Sequence, residues 1–267
     1  MLPIRVYSHY YLNEDSSWVF MFLDHMKMIE DSGLMDNLDV IKFTILANEQ
    51  QADLFKKLVS LYPKTEVTHI NYNFNDEDLL LLNGATSGRY IGEHPTLRQL
   101  WEDSLSDSFY IFYFHNKGST AFPNMFKNGA DIQQFKNYHY WRKYLEWGCI
   151  EKWKDCVISL ETCDASGVGF NNTPLPHFSG NFWWSKSEYI RKLDNIYDSA
   201  WWNNIGQYTR AGGGVWGPRM ICEFWPLSAA KVVSGVHALP PELCDPNPGL
   251  YSVTYHRKFY TIEQGKS

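Results

Sequence analysis

One segment of the chain brings together several groups that could hold an anion. From Phe112 to Thr120 it reads Phe-Tyr-Phe-His-Asn-Lys-Gly-Ser-Thr, so an apolar, strand-like run ends in an imidazole, an amide, an ammonium and hydroxyls. The Lys117 ammonium would neutralise phosphate while a diphosphate leaves, and the glycine lets a ligand approach the backbone. A solvated turn that carries a lysine is the alternative. The residues considered for this role are His115, Asn116, Lys117, Gly118 and Ser119.

A second segment, from Pro176 to Trp184, reads Pro-His-Phe-Ser-Gly-Asn-Phe-Trp-Trp. Its polar side chains could form hydrogen bonds with hydroxyls, and its tryptophans could offer a flat platform to a pyranose ring. Adjacent residues of an extended segment point to opposite faces, so one of the two indoles is expected to pack in the core. The residues considered for sugar binding are His177, Ser179, Asn181, Trp183 and Trp184.

A third segment places one carboxylate among apolar side chains. Glu223 follows Cys222 and precedes Phe224 and Trp225, so partial removal from water would raise its pKa. Such a carboxylate can act as the general base for an acceptor hydroxyl. Arg219, in the same segment, is a further candidate for sugar binding. A buried ion pair between Glu223 and an arginine is the alternative.

Few patterns in the sequence indicate a metal. Asp76-Glu77-Asp78 is the only Asp-x-Asp arrangement, and it could hold a divalent cation that bridges a nucleotide diphosphate. Helix capping before Leu79–Leu82 is the favoured alternative for this polar stretch. The histidines lack ligand spacing, so we predict no built-in transition-metal site. Walker and Gly-x-Ser-x-Gly motifs are absent, and the Gly-x-Gly-x-x-Gly spacing at 212–217 lies outside the predicted strand–helix units. Dehydrogenases, kinases and serine hydrolases are therefore disfavoured.

The elements that must position these groups alternate between strand and helix. The strand-like stretches are Ile4–Tyr11, Leu38–Ala47, Glu66–Tyr72 and Phe109–His115. The helical stretches are Ser17–Ser32, Glu49–Leu61, Pro95–Ser104 and Lys127–Trp147, and Glu151–Leu160 is a further helix or strand. This alternation predicts an α/β fold with a mainly parallel sheet and helices on both faces, where ligands bind beyond the carboxyl ends of the strands. Ser8, His9 and Asn48 stand at such ends and are considered for ligand binding.

Composition narrows the class of protein. The 267 residues fit one elaborated α/β domain spanning 1–267. A net charge of −6 disfavours a broad surface for nucleic acid, and no apolar run is long enough to cross a membrane. Five cysteines without a Cys-x-x-Cys pair, and an N-terminus unlike a secretory signal, lead us to expect reduced thiols and a cytoplasmic protein. Aromatic residues make up 16%, and their flat faces suit sugar rings as well as a packed core.

With these motifs the chain resembles a family of glycosyltransferase-like proteins found in bacteria, phages and algal viruses. The resemblance is carried by Pro-Thr-Leu at 95–97, His-x-Lys-Gly at 115–118, Trp-Arg-x-Tyr at 141–144, His-Phe-Ser-Gly-Asn-Phe-Trp-Trp at 177–184 and Arg-x-x-x-Glu-x-Trp at 219–225. The matches extend over nearly the whole chain, from Ile4 to Leu227. The signature at 177–184 is the most specific of them.

The resemblance implies a GT-A-like fold with a Rossmann-type sheet and a loop-rich second half. Residues 1–120 would take up a nucleotide sugar, with a UDP-sugar as the first choice; residues 121–238 would form the acceptor and catalytic half, and residues 239–267 an extended tail. Ordinary GT-A enzymes carry an Asp-x-Asp metal motif after the fourth strand, where this chain has His115-Asn116-Lys117. Dependence on Mn²⁺ or Mg²⁺ is thus left open. Lys117 and His115 would offset the charge of the leaving diphosphate.

The resemblance also implies roles for the later motifs. Glu223 would deprotonate the acceptor hydroxyl, while His177, Asn181 and Trp184 orient the donor or acceptor sugar. A glycan, either a surface polysaccharide or a lipid-linked oligosaccharide, is the first acceptor that we expect. A phage DNA-modifying transferase acting on a hydroxymethylated base, and a noncatalytic carbohydrate-binding protein, are the alternatives. The expected location is a bacterial cytoplasm or a virus-infected host cell.

Overall fold

The computed structural model describes residues 2–12, 17–71, 93–116, 132–196, 217–236 and 257–262. The first part of the chain alternates strand and helix with ends close to the predicted ones. Its strands are β1 (Ile4–Tyr11), β2 (Leu38–Leu46), β3 (Thr65–Asn71) and β4 (Tyr110–His115). Its helices are α1 (Ser17–Asp31), α2 (Leu34–Asn37), α3 (Glu49–Val59) and α4 (His94–Ser104). The predicted order of elements is therefore confirmed here.

The second part mixes short strands with helices. Its helices are α5 (Ile132–Glu146), which continues into a π-helical turn (Trp147–Glu151), α6 (Trp153–Ser159), α7 (Ser187–Ile190) and α8 (Gly217–Phe224), which a 3₁₀ turn (Trp225–Leu227) follows. Its strands are β5 (Ala165–Val168), β6 (Phe170–Asn171), β7 (His177–Phe178), β8 (Trp183–Lys186), β9 (Val232–Val236) and β10 (Arg257–Thr261). The stretch that the sequence left as helix or strand is the helix α6.

Eight of these strands form one sheet, in the order β10-β9-β5-β8-β4-β1-β2-β3. Strands β1 to β4 run parallel to one another, and β5 and β9 share their direction, whereas β8 and β10 run the opposite way. Strands β6 and β7 form a separate antiparallel pair. The prediction of a mainly parallel sheet in an α/β fold is confirmed.

Helices cover both faces of this sheet. Successive side chains of each strand point to opposite faces, so each strand contributes residues to both layers. On the face that we call the first, Val6 and Tyr10 of β1 pack with residues of α1, α3, α5 and α6. On the second face, Tyr7 of β1 packs with residues of α4, α7 and α8. Strand β1 is therefore buried on both sides, which explains its almost continuous run of apolar and aromatic residues.

The strand order changes direction at β1. From β1 the chain proceeds to β2 and β3 on one side, and it then returns to place β4 on the other side of β1. Crossover connections leave a crevice beyond the carboxyl ends of two strands at such a point. The carboxyl ends of β1 and β4 are therefore where a ligand site is expected.

Candidate functional site

His9 and His115 lie side by side at this switch in strand order. They are the last paired residues of β1 and β4, and their Cα atoms are partners in the parallel register. Both side chains are on the second face, and both residues are buried. The hydroxyl of Thr96, in the first turn of α4, lies 3.4 Å from Nδ1 of His9. Two imidazoles thus occupy the carboxyl edge of the two central strands.

A carboxylate from the start of α4 lies between these strands and the motif at 177–184. Oε2 of Glu93 is 3.2 Å from Nδ1 of His115 and accepts a hydrogen bond of 2.7 Å from the Tyr113 hydroxyl. The same oxygen accepts a hydrogen bond from Nδ2 of Asn181. Glu93 is 4% exposed, so this carboxylate has exchanged water for protein donors.

Asn181 is oriented by its neighbour in the motif. Its Oδ1 accepts a hydrogen bond of 2.8 Å from the indole nitrogen of Trp183, and its backbone has a φ of 56°, in the left-handed region that asparagine tolerates better than most residues. Gly180 before it has a φ of 96°, and a Cβ atom there would lie 2.5 Å from a methyl of Leu145. The Gly-Asn pair therefore forms a tight turn that places the Asn181 amide against Glu93.

Burial and neighbouring groups shift the pKa of both Glu93 and His9. Burial by itself would raise the pKa of Glu93, but the charge and hydrogen bond of His115, the Tyr113 hydroxyl and the charge of His9 together hold that pKa well below its usual range. Burial lowers the pKa of His9 to about 4, against the opposing attraction of Glu93, and the neighbouring histidines lower it further. Glu93 is therefore ionised at neutral pH, and His9 is neutral.

Helix α8 brings the third sequence motif to the same end of the second face. Sγ of Cys222 lies 3.5 Å from the ring nitrogens of His94, the residue after Glu93. The Phe224 ring meets the ring of His177 edge to face at 5.4 Å. Glu223, between these two contacts in sequence, is 6% exposed. The predicted base thus belongs to a helix that touches both α4 and β7 and whose last four residues are buried.

The His177 ring contacts residues close to it in sequence. Its Nδ1 lies 2.8 Å from the carbonyl oxygen of Leu175, and its Nε2 lies 3.1 Å from the hydroxyl of Ser179. His177 therefore carries its proton on Nδ1, since a carbonyl only accepts, and Nε2 can accept from Ser179. These two residues form a local pair beside α8.

The two tryptophans of the motif are both packed in cores. Trp183 stacks on Tyr113 with ring centroids 5.3 Å apart, and Trp184 stacks on Phe112 at 4.8 Å on the other face. Each is fully buried. We expected one indole to pack, but both are packed. Neither therefore offers a face to a sugar.

Three residues proposed for donor binding occupy separate positions. Asn116 accepts a hydrogen bond from the amide of Tyr11 at 3.0 Å and donates one to its carbonyl at 2.7 Å, so its side chain ties the ends of β1 and β4 together. Asn48 is exposed at the end of β2 and caps α3 by accepting from the amide of Gln51. Ser8 is buried on the first face, opposite His9, and within the described part of the chain its hydroxyl has no hydrogen-bond partner.

Several predicted residues fall outside what the structure describes. Lys117, Gly118 and Ser119 lie in the undescribed range 117–131, and Asp76 to Asp78 lie in the range 72–92. Arg219 belongs to α8, but its side chain is not described. Their proposed roles stay predictions.

The sequence did not single out Glu93, Tyr113 or His94. One signal could have pointed to Glu93. It stands directly before a helix that has proline near its start, in the sequence Glu-His-Pro-Thr. Tyr113 reads as one more aromatic residue of a buried strand. Only the sheet shows that its hydroxyl reaches a carboxylate.

A second buried charge cluster lies on the first face, between α1 and α5. Oε1 of Glu146 is 2.8 Å from Nε2 of His25 and 3.3 Å from Nε of Arg142. The Tyr10 hydroxyl approaches the other nitrogen of His25 at 2.5 Å, and Lys143 lies 3.1 Å from Oε2 of Glu146. The Trp-Arg-x-Tyr motif thus ties α5 to α1 and to β1.

The residues at the end of β4 do not fit a divalent cation. In the described ranges no group of three or more histidine, cysteine or acidic side chains is placed to hold a metal ion. The amide of Asn116 is engaged by the backbone of Tyr11, and Oε2 of Glu93 already accepts from Tyr113 and Asn181. Mn²⁺ and Mg²⁺ prefer several free oxygen ligands. We therefore assign no metal-dependent step to these residues.

Fold and site together define a mixed α/β protein with a large, mostly parallel sheet and a buried polar cluster at the carboxyl edge of its central strands. Residues 46–202, more than half of the chain, match the family described as a domain of unknown function, DUF8361, and the chain belongs to that family. No curated protein and no solved structure matches the chain. No helix within the described ranges is long and apolar enough to cross a membrane.

Proposed function

We propose that this protein is a glycosyltransferase that binds a nucleotide sugar at the carboxyl ends of β1 and β4. The observation that carries the proposal is the pairing of His9 and His115 at the switch in strand order, with the buried Glu93 beside them. Polar and ionisable side chains concentrated at this edge of an α/β sheet are typical of a ligand site. The resemblance of the motifs to glycosyltransferase-like proteins supplies the ligand class.

The donor's diphosphate is proposed to lie at the end of β4. His115 and the predicted Lys117 would donate hydrogen bonds to its oxygens and offset the negative charge that develops as it leaves. Charge-assisted hydrogen bonds of this kind are stronger than neutral ones. In this respect the two side chains would replace the cation that an Asp-x-Asp motif holds.

The acceptor side is proposed to lie between α8 and β7. Glu223 would take the proton of the acceptor hydroxyl, whose oxygen attacks the anomeric carbon as the bond to the diphosphate breaks and the diphosphate keeps the electron pair. The sugar is then transferred in one step, and its configuration is inverted. Burial of Glu223 on a helix that touches both α4 and β7 supports this role.

A glycan hydroxyl is the acceptor that we propose first, because the net charge of −6 disfavours a broad surface for DNA. Salt-dependent retention of DNA carrying hydroxymethylated bases would support the alternative acceptor instead.

Donor turnover tests the proposal. Purified protein is incubated with UDP-sugars, with and without glycan acceptors, and release of the nucleotide is followed. We expect slow release without acceptor and faster release with the right one, and we expect Lys117→Ala to lower the rate strongly. Unchanged turnover in Lys117→Ala would remove that residue from the proposal. Retained configuration in the product, seen by NMR, would remove Glu223 from the role of base.

A further inference from the structure

The hydrogen bonds around Glu93 can be assigned a direction without ambiguity. The indole nitrogen of Trp183 can only donate, so the atom of Asn181 that faces it is the oxygen, and the amide nitrogen must face Glu93. Tyr113 donates to the same carboxylate oxygen, Oε2, at 2.7 Å. Oε2 accepts from both groups, as an ionised carboxylate does, and the pKa of Glu93 lies well below its usual range.

His115 meets this same oxygen with one particular ring nitrogen. Its Nδ1 lies 3.2 Å from Oε2 of Glu93. Nδ1 is buried and has no other hydrogen-bond partner in the described part of the chain, so without a proton it would hold a lone pair close to a negatively charged oxygen, where repulsion is strong. The proton of a neutral ring therefore belongs on Nδ1, which leaves Nε2 as the nitrogen that can interact with a ligand.

We propose that Glu93 is a positioning residue for His115 in the transfer reaction. It keeps a proton on Nδ1 and provides the counter-charge that an imidazolium needs, so that Nε2–H can be donated to the donor's diphosphate. The identity of this ligand rests on the proposed function; the state of the ring does not. Trp183 and Asn181 hold the carboxylate in place, which gives these two residues of the 177–184 motif a role other than contact with a sugar.

Other ionisable groups surround this pair. They are His9 from β1, Tyr113 from β4, His94 from α4 and Cys222 from α8. Of these, the Tyr113 hydroxyl donates to Oε2 of Glu93.

The test reads the imidazole nitrogens directly. Ring ¹⁵N signals are recorded for wild-type protein, with His115→Gln to identify the His115 signals, and then for Glu93→Gln. In the wild type we expect Nδ1 to be protonated both when the ring is neutral and when it is charged. In Glu93→Gln we expect the proton of the neutral ring to redistribute towards Nε2. The matched control is Glu102→Gln, which removes an exposed carboxylate from the other end of the same helix and should leave the wild-type pattern.

Two results would overturn the inference. A neutral wild-type ring protonated only on Nε2 contradicts it without any variant, and this matters if Glu93→Gln does not fold. A folded Glu93→Gln protein with the wild-type pattern contradicts it as well. Tyr113→Phe removes one donor from Oε2 but keeps the carboxylate, so it is expected to keep the proton on Nδ1.

A binding measurement separates this inference from the proposed function. UDP is titrated into each protein, and we expect Glu93→Gln to bind it about tenfold more weakly while Glu102→Gln stays within about twofold of the wild type. Equal binding by Glu93→Gln and the wild type overturns the positioning role. Failure of the wild type to bind any of UDP, GDP, CMP and dTDP contradicts the proposed function instead, and the ¹⁵N pattern still decides the protonation of His115 beside Glu93.

Discussion

Trp183 and Trp184 are neighbours in the chain, but their indoles lie in different cores. Trp183 stacks on Tyr113 on the second face of the sheet, and Trp184 stacks on Phe112 on the first, with centroid distances of 5.3 Å and 4.8 Å. Strand β8 lies between β4 and β5, so both of its faces are covered. The motif at 177–184 therefore packs the centre of the protein and also supplies Asn181 to Glu93.

Replacing Trp184 by alanine is expected to lower the free energy of unfolding by about 3–5 kcal/mol. The change removes the stack on Phe112 and the hydrogen bond from the indole nitrogen to the carbonyl of Cys149. Chemical denaturation measures it, and Trp184→Phe, which keeps an aromatic ring, should lose less. Wild-type stability in Trp184→Ala, combined with loss of sugar binding, would restore the platform role that the sequence suggested.

Glu146 is expected to be the most sensitive residue of the cluster on the first face. Glu146→Ala removes the buried carboxylate that both Arg142 and His25 contact and should cost about 3–5 kcal/mol. Glu30→Ala, an exposed change on α1, is the control and should cost little. Loss of stability no larger than that of the control would show that the buried cluster contributes nothing.

Acid should weaken this same cluster. Burial alone would raise the pKa of Glu146, but His25 and Arg142 lower it to about 2, from an ordinary value of 4.5. The stabilisation by Glu146 is thus complete above pH 4.5 and is lost as the pH falls from there towards 2. The free energy of unfolding, measured from denaturation curves across this pH range, should depend less on pH in Glu146→Gln than in the wild type.

His9 should make the protein sensitive to milder acid. Burial keeps it neutral with a pKa of about 4, whereas the unfolded side chain takes up a proton near 6.5. The unfolded state therefore binds more protons between these values, and stability should fall by about 3 kcal/mol as the pH drops through them. His9→Gln should flatten the slope of unfolding free energy against pH, and His69→Gln, at an exposed position with only a weak effect on His9, should change it much less. An identical slope in His9→Gln contradicts the assignment.

Asn181→Asp tests the contact between this side chain and the Glu93 carboxylate. The change replaces the donor that faces Glu93 with a second carboxylate, which should cost about 3 kcal/mol at neutral pH. Because the folded variant would need to take up a proton, this cost should shrink as the pH falls. Asn171→Asp adds the same charge at an exposed position and keeps its hydrogen bond to the amide of Thr173. A cost that does not change with pH would contradict close contact between the side chain at 181 and an ionised Glu93.

The sequence was sufficient for the elements of the first part of the chain. Strong alternation of apolar strands with capped helices places β1 to β4, and Asn48 caps α3 as a residue of its type does after a strand. The carboxyl ends of these strands follow from a parallel arrangement alone, and His9 and His115 meet there. Local patterns predict that each of these residues ends a strand, whereas the placement of β4 beside β1 is shown only by the sheet.

Glu93 could not be predicted in the same way. It accepts from Tyr113, 20 residues away, and from Asn181, 88 residues away, so no local spacing connects the three side chains. They meet because β8 pairs antiparallel with β4. The sequence of β8, a short strand rich in tryptophan, does not predict which strand it pairs with. The contact of Asn116 is likewise not visible in the sequence, because its amide pairs with the backbone of Tyr11, 105 residues away.

The most direct test of the proposed donor site is a thermal-shift panel of UDP-, GDP-, CMP- and dTDP-sugars, with and without Mn²⁺, on wild-type protein and His115→Gln. A ligand that binds only the folded state at a hundred times its Kd adds about 2.7 kcal/mol of stability. We predict that one nucleotide class raises the melting temperature of the wild type in the absence of Mn²⁺, and that the rise is much smaller in His115→Gln. No shift with any nucleotide sugar at saturating concentration would contradict the proposed function and favour a protein that binds carbohydrate without transferring it.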